Sequence, residues 1–303
     1  MGSNKTLCEP LGDLDLRITR RVEAPRELVW KAHATPESLQ LWWGPKGFSH
    51  VDQAFDFQAG GAWSFGFIAP DGTVFQERIA FTELKEPELI AMDHGDGTTV
   101  LFRVRTRLEE AGAGTVITTT MAFKDKAARD ATLVHVEPGH ASSMERLDVA
   151  LKELVGRSAE GTEGRELRGT RFLPVPRRRV FQAWRDPGQL RLWWGPKGFS
   201  NEFHEFEFRP GGVWRFGMIG PNGELYPNHS VFHEIVADEL VRLEHKAPHF
   251  FITARFSDEL DGCRLDWRMV FDSKAACDQV RSFAKPGLFE NLDRLAALLK
   301  AEP

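Results

Sequence analysis

Ten histidines and 44 acidic residues are spread along the 303-residue chain, and their spacing decides what chemistry they offer. His204-Glu205 and His233-Glu234 come nearest to a zinc-hydrolase signature. Neither has the second histidine four residues on that would put two ligands on one helical face. His229 and His233 share a face if their segment is a strand, but four strand residues span about 13 Å, against metal–nitrogen bonds of about 2 Å. His245 and His249 flank Pro248 near a turn and read as capping or surface groups. No GxSxG elbow, phosphate loop or GxGxxG string occurs. Asp56 and Glu207 each stand between two phenylalanines. Strand alternation turns such a carboxylate away from the core that the rings face, and so away from acid–base duty. The expectation is a chain with no catalytic residue, no metal and no cofactor.

Other features suggest binding rather than reaction. Arg103, Arg105 and Arg107 form a period-two stripe opposite Phe102, Val104 and Leu108, which reads as a solvated sheet face before it reads as a partner site. The pair Trp42-Trp43 is either a partner anchor or, the preferred reading, the apolar end of a short helix closing on a sheet. Lys46 and Lys197, beside the ends of such helices, suit their negative dipole ends. A net charge of −5 argues against nucleic acid as partner, and no apolar run is long enough for a membrane span. The first ten residues carry no secretion signal, and Cys8, Cys263 and Cys277 form no CxxC pair. Both facts lead to the expectation of a cytoplasmic protein with reduced thiols.

The elements that must position these residues are written twice. Trp42 to Ser49, WWGPKGFS, recurs identically as Trp193 to Ser200, and FDFQAGGAWSFGFIAPDG (55–72) aligns without a gap on FEFRPGGVWRFGMIGPNG (206–223). A repeat this long is a domain duplication. The reading is domain one over 13–155, a polar, Gly-rich linker over 156–165, and domain two over 166–301. In each copy a short strand (Leu16 to Val22; Leu167 to Leu173) precedes a helix beginning at Pro25 or Pro176. A second helix is capped by Thr35-Pro36 or Asp186-Pro187 and stopped by Gly44 or Gly195. About five antiparallel strands follow, with hairpin signals at Asp71-Gly72, Asn222-Gly223 and Asp261-Gly262. Each copy closes with a short helix and then a longer one. That last helix aligns MERLDVALKEL (144–154) on FENLDRLAALL (289–299), with Met144, Leu147, Leu151 and Leu154 as one apolar stripe. His94 and His245 stand at equivalent strand ends, and the copies diverge at Gln76/Pro227, Glu77/Asn228 and Val100/Phe251. The fold class is α+β, two tandem domains, each a curved antiparallel sheet around a long C-terminal helix.

The element order, LxxWWGPKGF, the FxFxxGGxWxFG hairpin and the closing helix together resemble the activator of Hsp-90 ATPase homologue family, of the START-like (SRPBCC, Bet v allergen-like) superfamily. The resemblance spans nearly the whole chain and implies a helix-grip fold. One departure is His140 and Leu288 after Gly139 and Gly287, where family members often carry Trp. Three functions follow as expectations. The first is non-enzymatic binding of a hydrophobic small molecule, with the pocket lined by Trp63, Phe65, Phe67, Met144 and Leu147 in copy one. In copy two the lining is Trp214, Phe216, Met218, Phe289 and Leu292, and His94 and His245 are the candidate polar groups. The alternatives are a protein-interaction module related to stress and chaperones, with a chaperone or other protein as partner, and a cyclase- or hydrolase-like enzyme. The enzyme would need titratable side chains converging inside the cavity.

Overall fold

The computed structural model describes residues 5–301, and for 135–137 the backbone alone. The chain divides after Gly161 into two compact units. Domain one runs β1 (Leu7–Leu11), β2 (Asp15–Val22), α1 (Arg26–His33), α2 (Pro36–Trp42), β3 (Ser49–Phe55), β4 (Ala62–Ile68), β5 (Val74–Lys85), β6 (Leu89–Gly95), β7 (Val100–Ala111), β8 (Gly114–Phe123) and α3 (Lys126–Glu160). Domain two repeats the order without a counterpart of β1. Its elements are β9 (Glu166–Leu173), α4 (Arg177–Arg185), α5 (Pro187–Trp193), β10 (Ser200–Phe206), β11 (Val213–Ile219), β12 (Leu225–Val236), β13 (Leu240–Lys246), β14 (His249–Glu259), β15 (Gly262–Phe271) and α6 (Lys274–Ala301). The sheets order as β1-β2-β8-β7-β6-β5-β4-β3 and β10-β11-β12-β13-β14-β15-β9, antiparallel throughout, each with its long helix. This is the tandem helix-grip α+β fold.

Local chemistry accounts for the short helices. The Thr35 hydroxyl accepts from the Ser38 N–H at 3.2 Å, Pro36 needs no partner at the first helical position, and Gly44 leaves the helix at φ +90°. Asp186 caps α5 in the same way, through the N–H groups of Gly188 and Gln189. The core of domain one gathers Trp30, Trp42, Trp63, Phe65, Ile79, Phe81 and Ile90 against Met144, Leu147, Leu151 and Leu154, the expected stripe of the last helix. Burying each side chain of this kind is worth about 1.5–3 kcal/mol.

The structure corrects several sequence expectations. The short and long closing helices are one continuous helix in each copy, with Pro138 and Pro286 inside it. Helix α3 continues through Val155 to Glu160 and ends on Gly161 at φ +64°, so the first half of the expected linker is its last turn. Six strands follow the short helices rather than about five, and the first ends at Phe55, inside FDF. Strand β1 pairs with β2 over Leu7–Leu11, where the sequence reading places no strand.

The copies also drift out of the gapless alignment after β6. His94 stands opposite Phe102, and His245 opposite Phe250, so Phe102 corresponds to Phe250 and Val100 does not correspond to Phe251. In the last helices Arg146 donates to the carbonyl of Gly44 and Arg294 to that of Gly195. Arg146 therefore corresponds to Arg294 and Met144 to Leu292, about one turn from the pairing that sequence suggests.

Candidate functional site: an apolar cavity with two histidines

The aromatics expected to line a pocket fill the core instead. Trp63 and Phe65 are each 1% exposed, with rings stacked 4.0 Å apart, and Met144 and Leu147 pack in the same cluster. Phe67 stacks on Phe48 at 4.8 Å and lies over Gly44, where a Cβ would come within 2.7 Å of its ring. Trp214 and Phe216 repeat that stack at 4.4 Å, and the Met218 methyl packs on Gly195. Phe289 and Leu292 press onto Gly169, where an added Cβ would lie 3.2 and 3.1 Å from them.

A cavity of about 280 Å³ opens in domain one further along the sheet. Its walls are Met92 and His94 on β6, Phe102 and Val104 on β7, Thr119 and Met121 on β8, Trp42 to Pro45 at the end of α2, and Gly139, His140 and Ser143 on α3. Of the sequence candidates only His94 is on this lining. The space exists for two local reasons. Gly139 on α3 adds no side chain to the wall, although Pro138-Gly139 recurs as Pro286-Gly287 in domain two and so does not by itself set domain one apart. On β8, Thr119 is small, and its hydroxyl pairs with Thr106 at 3.0 Å.

The polar groups of the lining are held in particular states. His94 stacks on Phe102 at 4.6 Å, and burial lowers its pKa to about 4. Its Nε2 is 3.5 Å from Glu77, whose own carboxyl is raised by burial, while Nδ1 is buried with no partner among the described residues. His140 is also lowered to about 4, by burial and then by nearby His33. His33 sits edge-on to Trp42 at 4.7 Å and donates to the Val29 carbonyl at 2.8 Å; burial lowers it to about 4 as well. All three imidazoles are neutral at pH 7.

Helix α2 is pinned where it meets the cavity. Trp42 Nε1 donates to the Ala32 carbonyl at 2.9 Å, and Trp43 meets Trp63 edge-on at 5.3 Å. The carbonyls ending the helix accept from Arg146, rather than facing Lys46, which pairs with Glu145 at 2.8 Å. The Trp pair is thus a structural closure, as expected, and also a cavity wall. The arginine stripe is exposed, and two of its members face acids, Arg103 with Asp93 at 3.5 Å and Arg105 with Glu83 at 2.9 Å. Asp56 is exposed and Glu207 half-buried, each one residue past the end of its strand.

Domain two treats the same positions differently. Thr119 lies opposite Thr106 and Ile18; Trp267 lies opposite Ala254 and Gly169 in the matching register. Trp267 is 2% exposed and stacks on Trp194 at 5.1 Å and 26°, with Trp184 at 4.9 Å. Trp194 corresponds to Trp43, Trp184 to His33 and Leu288 to His140, so an indole fills what domain one leaves open. His245 is likewise committed, its Nδ1 donating to the Pro248 carbonyl at 2.8 Å and its Nε2 lying 2.9 Å from Asn228 Oδ1. Sequence reasoning missed Met92, Phe102, Val104, Thr119, Met121 and Ser143. A difference between the copies marks Thr119, matched by Trp267, and His140, matched by Leu288, whereas Phe102 and Met121 recur as Phe250 and Met269 and carry no such signal.

Among the described residues no group of three or more acidic, histidine or cysteine side chains is placed to hold a metal, and no helix is long and apolar enough to cross a membrane. No curated protein matches the chain significantly. Among solved structures, a protein from Rhodobacter sphaeroides is 20% identical, covering 50% of this chain and 99% of its own, with a TM-score of 0.46. The AHSA1 protein from Silicibacter pomeroyi is 20% identical, covering 46% and 99%, with a TM-score of 0.40. The di-domain ARO/CYC protein StfQ of the steffimycin biosynthetic pathway is 14% identical, covering 94% and 98%, with a TM-score of 0.37. The model of the family described as Activator of Hsp90 ATPase homolog 1-like protein matches residues 23–152 and again 174–300. Matched once in each unit and over most of its length, the chain belongs to the Activator of Hsp90 ATPase homolog 1-like family.

Proposed function

We propose that this protein binds a small, largely apolar molecule in domain one without transforming it, and that domain two is a filled copy with no such site. The observation that carries the reading is the cavity of about 280 Å³, walled by Trp, Met, Phe and Val side chains with few polar groups. Such walls favour an apolar guest, and the neutral imidazoles and hydroxyls orient it.

A second reading, proton-transfer chemistry, is favoured by His94 and His140 facing one cavity, the convergence that an enzyme would need. Their basicity ranks it second. Imidazoles lowered to about 4 are weak bases, whereas efficient general bases have pKa values near the working pH. A chaperone-regulating role has less support, because two of the three arginines of the face it would use, Arg103 and Arg105, are paired with Asp93 and Glu83 of their own sheet.

The test is native mass spectrometry of freshly purified protein, with organic extraction and a thermal-shift screen of apolar compounds. A co-purifying or stabilising compound at one per chain is expected. Two equivalents bound by the two domains alike, or no stabilisation by any compound, would sink the reading.

A further inference from the structure

The two short helices of the domains have diverged in charge more than in shape. Over residues 26–43 domain one sets Arg26 and Lys31 against Glu27 and Glu37, a net charge of zero. The aligned 177–194 of domain two sets Arg177, Arg178, Arg179, Arg185 and Arg191 against Asp186, a net charge of +4. We propose that the outer face of α4 and α5, with Arg178, Arg185, Arg191 and exposed Leu192, is a docking surface for an acidic protein segment that carries an apolar side chain. It is independent of the cavity in domain one.

The face follows from how the helices are held. Val180, Phe181, Ala183 and Trp184 of α4 are buried, and Trp193 Nε1 on α5 donates to the Ala183 carbonyl at 3.0 Å. With that side committed, Arg178 and Arg185, about two turns apart on one side of α4, are left exposed. Arg191 and Leu192 are exposed on α5, Leu192 to 55%. Arg179 donates to Gln189 Oε1 at 2.9 Å and ties the two helices into one support.

The charge on this face is not spent internally. Arg177 is shared between Glu239 and Asp258, whereas Arg178, Arg185 and Arg191 have no ion pair among the described residues. Asp186, the acid between Arg185 and Arg191 in the chain, is committed to capping α5 through the N–H groups of Gly188 and Gln189. In domain one Glu27, Ala34 and Gln40 hold the places of the three arginines. Gln40 is turned inward there, 1% exposed, and donates to the His50 carbonyl at 2.9 Å.

Charge complementarity selects the occupant. Guanidinium forks take carboxylates in bidentate fashion, and an acidic segment supplies the carboxylates that these arginines lack. An apolar side chain of the partner covers Leu192. A net charge of −5 on the chain disfavours a long polyanion such as a nucleic acid, whose phosphates it repels beyond the patch.

The experiment uses the full chain and a fluorescein-labelled peptide of four Glu-Glu-Leu repeats, read by anisotropy. A Gln-Gln-Leu peptide and an oligothymidylate of equal length stand beside it. One acidic peptide per chain is expected, with affinity falling about tenfold between low salt and about 0.3 M NaCl, and no binding of the neutral peptide. Arg178→Glu/Arg185→Glu/Arg191→Glu is expected to weaken binding about tenfold, and Leu192→Ser about threefold. Reversing Arg103, Arg105 and Arg107 of β7 together is expected to change it less than about twofold. The milder Arg178→Gln/Arg185→Gln/Arg191→Gln chain is expected to lose affinity in the same order, which decides the matter if the charge reversal does not fold.

No binding of the acidic peptide, undiminished binding by the α4–α5 variants, or an equal loss from the β7 reversal overturns the surface. Unchanged binding by Leu192→Ser overturns the apolar requirement. Tighter binding of the oligothymidylate through the same arginines overturns the partner class. Self-association of the wild type in sedimentation, abolished by the α4–α5 variants, makes a second copy the occupant and overturns it too.

Discussion

Three histidines, His94 and His140 on the cavity wall and His33 buried behind it, are each lowered to about 4 and link this region to the stability of domain one. Between about pH 6.5 and 4 the unfolded chain takes up protons on these residues while the folded unit does not. Stability is therefore full above that window and falls as the pH drops through it, by up to about 1.4 kcal/mol per pH unit for each histidine. His140→Leu, which installs the residue found in domain two, is expected to make this decline shallower by about one proton. Urea titrations at pH 7, 6 and 5 read it, and an unchanged slope would mean that His140 titrates freely in the fold. Arg294 donates to the carbonyls of Leu192, Gly195 and Pro196 from a partly buried position. Charged hydrogen bonds of this kind are worth about 1.5–3 kcal/mol each. Arg294→Ala is expected to cost domain two about 2–4 kcal/mol in a denaturant titration, more than any change to exposed Lys197.

At the scale of elements, the distance between sheet and closing helix separates the two copies. Gly169 on β9 lets Leu288, Phe289 and Leu292 of α6 come so near that a Cβ would lie 3.1–3.3 Å from them, while β2 has Ile18 at that place. Gly169→Ala is expected to destabilise domain two by about 1–3 kcal/mol through overpacking. Gly156 on the exposed side of α3 is the opposite case, with nothing within 4 Å of an added Cβ. Gly156→Ala is expected to stabilise domain one by about 0.5–1 kcal/mol through the lower backbone entropy of the unfolded helix. Equilibrium unfolding of the two variants checks both signs together; equal signs would refute the packing argument.

For the whole molecule, duplication produced two units of one fold with unlike interiors, domain one with a cavity beside Thr119 and domain two with the buried Trp267 at the matching place. A ligand confined to domain one stabilises that unit by about 2.7 kcal/mol at 100 times its dissociation constant and leaves the other unit untouched. Calorimetry with a saturating compound from the thermal-shift screen is expected to move only the part of the unfolding endotherm that Gly156→Ala also moves. Movement of the part sensitive to Arg294→Ala would show binding in the wrong unit.

Much of the fold was legible because it is written locally. Thr35-Pro36, Gly44 and Asp71-Gly72 state where elements start, stop and turn, and the Met144 to Leu154 stripe states which face of the last helix is buried. Two expectations failed: a short helix before a longer one, where a single helix runs through Pro138 or Pro286, and a linker over the polar 156–165, where α3 still runs to Glu160. The sequence by itself determined two copies, the class of each and the family, since caps, turns and alternation act through neighbours in the chain. Only the tertiary structure decided which aromatics are core and which are wall. That choice depends on what stands opposite across the sheet, and Thr119 facing Thr106 differs from Trp267 facing Ala254 only once the strands are in register.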